Sequence, residues 1–190
     1  MFRKLISATA IFAGISAASD DHLDVMRDCG AVPKTSLNVE LNDTVTNAKA
    51  LETCIEKANN GGKTVVIPKG YAFSATASSH ANLTDVALQI DGVWEASPYY
   101  QEWPTESKHH KSGHGHLKGR QDLKPFLQFI DCTNLTIKGQ GTVDGLGYDW
   151  WVREWEKKNP HGRPHLLQYD RVQDSEISGV KFLNSPRFNL

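Results

Sequence analysis

The 190-residue chain has almost no excess charge: 21 Lys and Arg against 22 Asp and Glu leave a formal net charge of -1 and a pI near 6.7. That excludes the usual electrostatic basis for binding nucleic acid or an acidic membrane surface, which needs clustered Lys and Arg. Cysteine is scarce, with only Cys29, Cys54 and Cys132. In an oxidising compartment three thiols give at most one disulfide and one leftover thiol, and Cys29 with Cys54 is the expected pair. Long apolar runs are also missing. The one from Leu5 to Ile15 is too short to span a bilayer.

That short run has a different meaning. Arg3 and Lys4 precede it, and Ser16-Ala17-Ala18 offers small residues where a signal peptidase reads. Residues 1–18 are therefore expected to be a secretory signal cleaved near Ala18, and the protein to be extracellular. Sequons at Asn42, Asn82 and Asn134 would then meet a glycosylating route in a eukaryote. Hydrophobic residues make up 39% of the chain, enough at this length for one core and one domain.

The rest of the chain repeats itself. Phe126-Leu127-Gln128-Phe129 and Ile137-Lys138-Gly139 recur forty positions on as Leu166-Leu167-Gln168-Tyr169 and Ile177-Ser178-Gly179, with a polar step at Asp131 or Asp170. A third copy, Leu88-Gln89-Ile90-Asp91-Gly92, reads as the same unit thirty-nine positions before Leu127. Repeats at such a period are stacked units that cannot bury their apolar faces alone. Alternation in Leu135-Thr136-Ile137 and Ile177-Ser178-Gly179-Val180-Lys181-Phe182 makes the units strands. One helix precedes them: Ala48, Leu51, Ile55 and Ala58 share a face, with a start near Asp43 or Thr44 and a stop at Asn60-Gly61-Gly62. Thr64-Val65-Val66-Ile67 is a strand ended by the turn Pro68-Lys69-Gly70.

Strands that turn corners at Gly or Asn and stack in parallel form a right-handed parallel β-helix. One coil takes about twenty-odd residues, so a forty-residue interval is a coil plus an insertion. Polar insertions are expected at about 95–124 and 148–164, where long aperiodic loops carry function. The expected organisation is a signal over 1–18, an N-terminal cap with helix and first strands over 19–85, and the first coils over 86–190. The helix would cover the exposed end of the coils.

Several segments together resemble glycoside hydrolase family 28, the polygalacturonase-like branch of the pectin-lyase-like β-helix proteins. Asp28-Cys29-Gly30-Ala31 is similar to the family's opening, with Cys in the aromatic place. Gly61-Gly62-Lys63-Thr64-Val65-Val66-Ile67-Pro68-Lys69-Gly70 follows its Gly-Gly, apolar run and Pro-x-Gly. The most specific stretch runs from Asn134-Leu135-Thr136-Ile137-Lys138-Gly139-Gln140-Gly141 through Asp144-Gly145-Leu146-Gly147 to Trp150-Trp151. Arg163-Pro164 and the segment from Ile177 to Asn184-Ser185-Pro186 complete it. The resemblance implies inverting hydrolysis of α-1,4-galacturonan or a related pectic polymer, with one carboxylic acid protonating the leaving oxygen and carboxylates activating water.

The family's Asn-Thr-Asp, Asp-Asp, Gly-His-Gly and Arg-x-Lys motifs follow the Asn-Ser-Pro segment, which here lies four residues before Leu190. The β-helix is thus expected to be cut short at its C-terminal end, with the catalytic motifs beyond Leu190 and no catalytic residue in the chain. Two local matches fall in the wrong place. Asp20-Asp21 lies beside the predicted cleavage point, where a chain end frays. Gly113-His114-Gly115 precedes the Asn134 coil instead of following the aspartates. His109, His110, His114 and His116 crowd one loop, but without cysteine or HExxH-type spacing they read as a solvated segment and not as a metal site.

Trp94, Trp103, Trp150, Trp151 and Trp155 are candidate sugar platforms or packing residues, with packing favoured for Trp150. Asp144 and Asp149 lie near each other, and Asp144 sits in a Val-Asp-Gly-Leu-Gly turn where Asp bonds its own backbone. The expected function is therefore the N-terminal part of a secreted polygalacturonase-like hydrolase. Its partner is a polysaccharide, with no cofactor or metal, no nucleic acid and no membrane, and it is a monomer if the chain is complete. The alternative is a non-catalytic carbohydrate-binding or structural β-helix; a Ca²⁺-dependent lyase would need a carboxylate cluster that the sequence does not show.

Overall fold

The computed structural model describes residues 21–35, 38–107 and 121–187. The signal segment 1–18 and the histidine segment 109–116 lie outside these residues. Helix α1 spans Leu41–Ala58 and starts slightly earlier than expected. Glu40 precedes it without a side-chain cap, while Thr44 donates its hydroxyl to the Leu41 carbonyl at 2.8 Å and points inward. The helix stops where Asn60 and Gly62 take left-handed φ angles of 60° and 63°. Ala48, Leu51, Ile55 and Ala58 are all buried, as the periodicity requires. Cys54 on the same face is bonded to Cys29, with Cα atoms 5.7 Å apart, and Cys132 is left free and buried.

The strands are β1 (His22–Asp24), β2 (Thr64–Ile67), β3 (Ala72–Ala75), β4 (Ser78–Ala81), β5 (Thr84–Ile90), β6 (Val93–Ala96), β7 (Thr105–Ser107), β8 (Gln121–Leu123), β9 (Leu127–Ile130), β10 (Thr133–Lys138), β11 (Thr142–Asp144), β12 (Leu167–Asp170), β13 (Glu176–Ser178) and β14 (Lys181–Leu183). Three parallel sheets run along the molecule, in the orders β1-β2-β5-β10-β13, β3-β6-β11-β14 and β4-β9-β12; we name them A, B and C. The chain visits A, then B, then C, and repeats, which is the parallel β-helix expected. The first complete coil is β2-β3-β4, so stacking starts ahead of residue 86. Helix α1 packs across the strands of this coil. Asn47 ties the two together, accepting from Val32 N at 2.6 Å and donating to the Val32 and Ser74 carbonyls at 3.0 and 2.8 Å. Asp21 is not frayed: its carbonyl accepts from Thr64 N, and β1 pairs with β2, because the first coil offers an open sheet edge.

Inward residues of each sheet stack in register from coil to coil. Sheet A stacks Val65, Leu88 and Ile137 in the core, with Ile177 next in line but 42% exposed, while B stacks Phe73, Trp94 and Val143, followed by a partly buried Phe182. Sheet C stacks His80, Phe129 and Tyr169, with ring centroids 5.1 and 5.7 Å apart. Burial pushes the His80 pKa down to about 3, so the ring is neutral, and its Nε2 lies 3.1 Å from Ser78 Oγ. Burial, followed by Cys132, pushes Tyr169 up to about 12.

The forty-residue repeat is real for the last two full coils, since Leu127 pairs with Leu167 and Ile137 with Ile177. The third copy needs correction. Leu88 pairs with Ile137, not Leu127, because Leu88-Gln89-Ile90 belongs to sheet A and the interval there is 49 residues. An inward Leu followed by an outward Gln suits either sheet, so the shared letters mislead. Asp131 and Asp170 are not equivalent either. Asp170 aligns with Ile130, and Arg171 stands beside Asp131, bonding it across the coils at 2.8 Å through Nη2 and its neighbour Asp170 at 2.9 Å.

Candidate functional site

Both insertions leave from the same corner, between sheets B and C, on successive coils. The first occupies residues 97–126 and holds a 3-10 turn at Tyr100–Glu102 and the antiparallel hairpin β7-β8. The second occupies residues 145–166 and contains helix α2 (Gly147–Trp155). Its helicity was not apparent from the sequence, which reads there as an aperiodic polar loop. Four aromatic and three charged residues fill seven of its nine positions. Asp144 starts the segment as expected, accepting from Leu146 N at 2.9 Å in a tight turn, and Asn184 of the next coil bonds its carboxylate at 3.0 and 3.1 Å. Asp149 lies in the first turn of α2 and has no catalytic partner that the structure defines.

The insertions meet through aromatic rings. Trp103 and Trp150 are both buried and cross edge to face with centroids 5.7 Å apart, and Tyr100 meets Trp150 in the same way at 6.2 Å. Trp103 Nε1 donates to the Lys124 carbonyl at 2.8 Å. Packing is thus the role of Trp150, as expected, and also of Trp103. Trp94 is a core residue against Phe73, and Trp151 donates to the Ser185 carbonyl at 3.1 Å. Trp155 is 83% exposed on the far side of α2.

Above the buried rings lies a cleft of about 360 Å³, open to solvent, with Tyr100, Arg153, Asn159 and His161 among its walls. That volume falls within the range of ligand clefts, about 300–1,000 Å³, as does the combination of an apolar floor with a few polar groups. Arg153 lies 4.0 Å from the Tyr100 ring centre, donates from Nε to Asn159 Oδ1 at 3.3 Å, and donates from Nη2 to the Lys158 carbonyl at 3.1 Å. Tyr100, Arg153 and Asn159 escaped sequence reasoning. The available signal was that two insertions occur one coil apart, which places them side by side. Among the described residues no group of three or more His, Cys, Asp or Glu side chains is placed to hold a metal, and no helix is long and apolar enough to cross a membrane.

Comparison with known proteins agrees with this architecture. The sequence profile of Glycosyl hydrolases family 28 matches residues 54–190. A probable polygalacturonase of Vitis vinifera is 28% identical over 149 residues, covering 76% of this chain and 30% of its own. Exopolygalacturonase A of Aspergillus niger is 32% identical over 143 residues, covering 74% and 30%. The chain therefore spans about a third of the length of the curated relatives it matches. Among solved structures, the family 28 exopolygalacturonase of Yersinia enterocolitica superposes with a TM-score of 0.64 at 18% identity, over 89% of this chain and 36% of that one. A tailspike protein of E. coli bacteriophage HK620, solved with a pentasaccharide, gives 0.51 at 18% identity over 86% and 26%. The profile covers every strand but β1 together with both insertions, so this β-helix belongs to glycosyl hydrolases family 28.

Proposed function

We propose that the chain supplies the helix-capped start of a secreted polygalacturonase-like hydrolase that inverts the anomeric centre as it cleaves α-1,4-galacturonan or a related pectic polysaccharide. The family match over residues 54–190, laid on the observed coils, carries this reading. Secretion draws support from the Cys29–Cys54 disulfide, a bond that persists in oxidising compartments.

In such hydrolysis a carboxylic acid protonates the leaving oxygen while a carboxylate activates water on the opposite face of the ring. The described residues contribute scaffold and walls to that chemistry. Asp144 is committed to its turn and to Asn184, and Glu95 is paired with Lys34 at 2.7 Å. The test is release of reducing ends from polygalacturonate by the gene's secreted product, with N-terminal sequencing of that product. Hydrolysis with inversion and a mature start at Ser19 are expected. Activity on neutral polysaccharides alone, or retention of configuration, would overturn the reading.

A further inference from the structure

We infer that the cleft between the two insertions is an anchoring subsite for one uronate residue of an acidic polysaccharide, with Arg153 reading the carboxylate. The inference rests on the pectic reading for its choice of polymer, but its evidence is local. Arg153 is a half-buried cation with no carboxylate partner among the described residues. A partly desolvated guanidinium without a counter-ion favours an anion beside it. Lys158, the neighbouring cation on the cleft wall, is already neutralised by Glu156 at 3.0 Å.

The guanidinium is also fixed in place. The Tyr100 ring, Asn159 and the Lys158 carbonyl hold one side of it, and Nη1 has no partner among the described residues. A planar fork immobilised in this way presents its remaining donors to a carboxylate with little entropy left to lose. Below it, the partly exposed Tyr100 and the buried Trp103 and Trp150 form an apolar floor suited to the C–H face of a sugar ring, while Gln101 on the cleft wall offers an amide to hydroxyls. The Asn159 amide is spent on Trp150, Glu154 and Arg153 and serves to hold the guanidinium. A neutral sugar would use the floor and the Gln101 amide but leave the charge unanswered.

The experiment is a calorimetric titration of the whole disulfide-bonded chain with trigalacturonate and with its carboxyl-reduced neutral counterpart, alongside the indole N–H NMR signal of Trp103. Trigalacturonate is expected to bind at least tenfold more tightly than the neutral sugar and to shift that signal. Arg153→Gln should remove about tenfold of the acid's affinity and none of the neutral sugar's, and Arg153→Lys should recover part of it, as expected for a charge-assisted bond. Trigalacturonate binding that Arg153→Gln leaves intact, in a variant that melts normally, overturns the inference while the pectic reading stands. Preference for the neutral sugar overturns both. Absence of any binding overturns the subsite, and reducing-end release then decides the pectic reading separately. If Arg153→Gln fails to fold, salt provides the second measurement: raising it to about 0.5 M should weaken trigalacturonate binding several-fold, and salt-independent binding overturns the role of charge.

Discussion

The corner between sheets C and A and the corner between sheets B and C sit on the same coils, yet they are built in opposite ways. At the first, the chain bends within a few residues each time, and left-handed residues recur in register: Asn82 and Asp85, then Asp131 and Asn134, then Arg171 and Asp174. Asn134 even donates to Asp85 below it at 2.6 Å. At the second, Thr76-Ala77 suffices on the first coil, whereas residues 97–126 and 145–166 fill the same place on the next two. A templated corner holds the stack together and cannot change length. The untemplated one is free to grow, and the cleft is there.

The largest expected effect comes from breaking a templated corner. Between sheets A and B, Gly139 has φ 139° and a Cβ there would lie 2.0 Å from the Ile90 carbonyl oxygen; at Gly141 it would lie 2.1 Å from that of Gly92. Gly139→Val should cost about 3 kcal/mol or more, or prevent folding, as read by the urea midpoint or the soluble yield. Breaking the insertion corner should be milder and local. Trp150→Ala is expected to cost about 3 kcal/mol, the lower end for a buried Trp. Hydrogen exchange should show lost protection in residues 97–107 and 147–163, with β5 and β10 still protected.

Acid should act through the core. The folded pKa of His80 lies below its unfolded value, so the stability it contributes is complete above about pH 6.5 and is lost as pH falls toward 3. The slope should reach about 1.4 kcal/mol per pH unit inside that window, and His80→Phe should flatten it in thermal melts taken from pH 7 to 5. The smallest effect belongs to the exposed pair across coils. Arg171 holds the Asp131 carboxyl below the usual carboxylate range, chiefly through its hydrogen bonds. Arg171→Ala should return that carboxyl to the ordinary range in an NMR titration and leave the melting midpoint within scatter.

The templated parts were legible in the sequence, and so was the place of the two insertions; what the insertions build together was not. The inward positions Leu135, Ile137 and Phe129, the amphipathic face of α1 and the turn at Asp144 all follow from local period or turn chemistry. The Cys29–Cys54 pair, expected from a count of three cysteines in an oxidising compartment, is also observed. Register between coils was harder. Leu88 shares its Leu-Gln step with Leu127 but stacks on Ile137, because a period-two pattern marks the face and not the sheet. Arg153 was invisible for a related reason. Its significance comes from Tyr100 in the other insertion and from the lack of a carboxylate partner among the described residues, and neither can be read from its own neighbourhood in the chain.

The disulfide gives the cap a dependence on the cell's redox chemistry. Cys29 and Cys54 stand 25 positions apart, and closing a loop of that size restricts the unfolded chain by about 3.5 kcal/mol in the chain-entropy view. Synthesised in a reducing cytosol, the protein would have the same coils but a loosely tethered α1 and β1. The sheet edges they cover would then be open to pairing between molecules. A recombinant host with an oxidising compartment is therefore the one suited to keeping this cap closed.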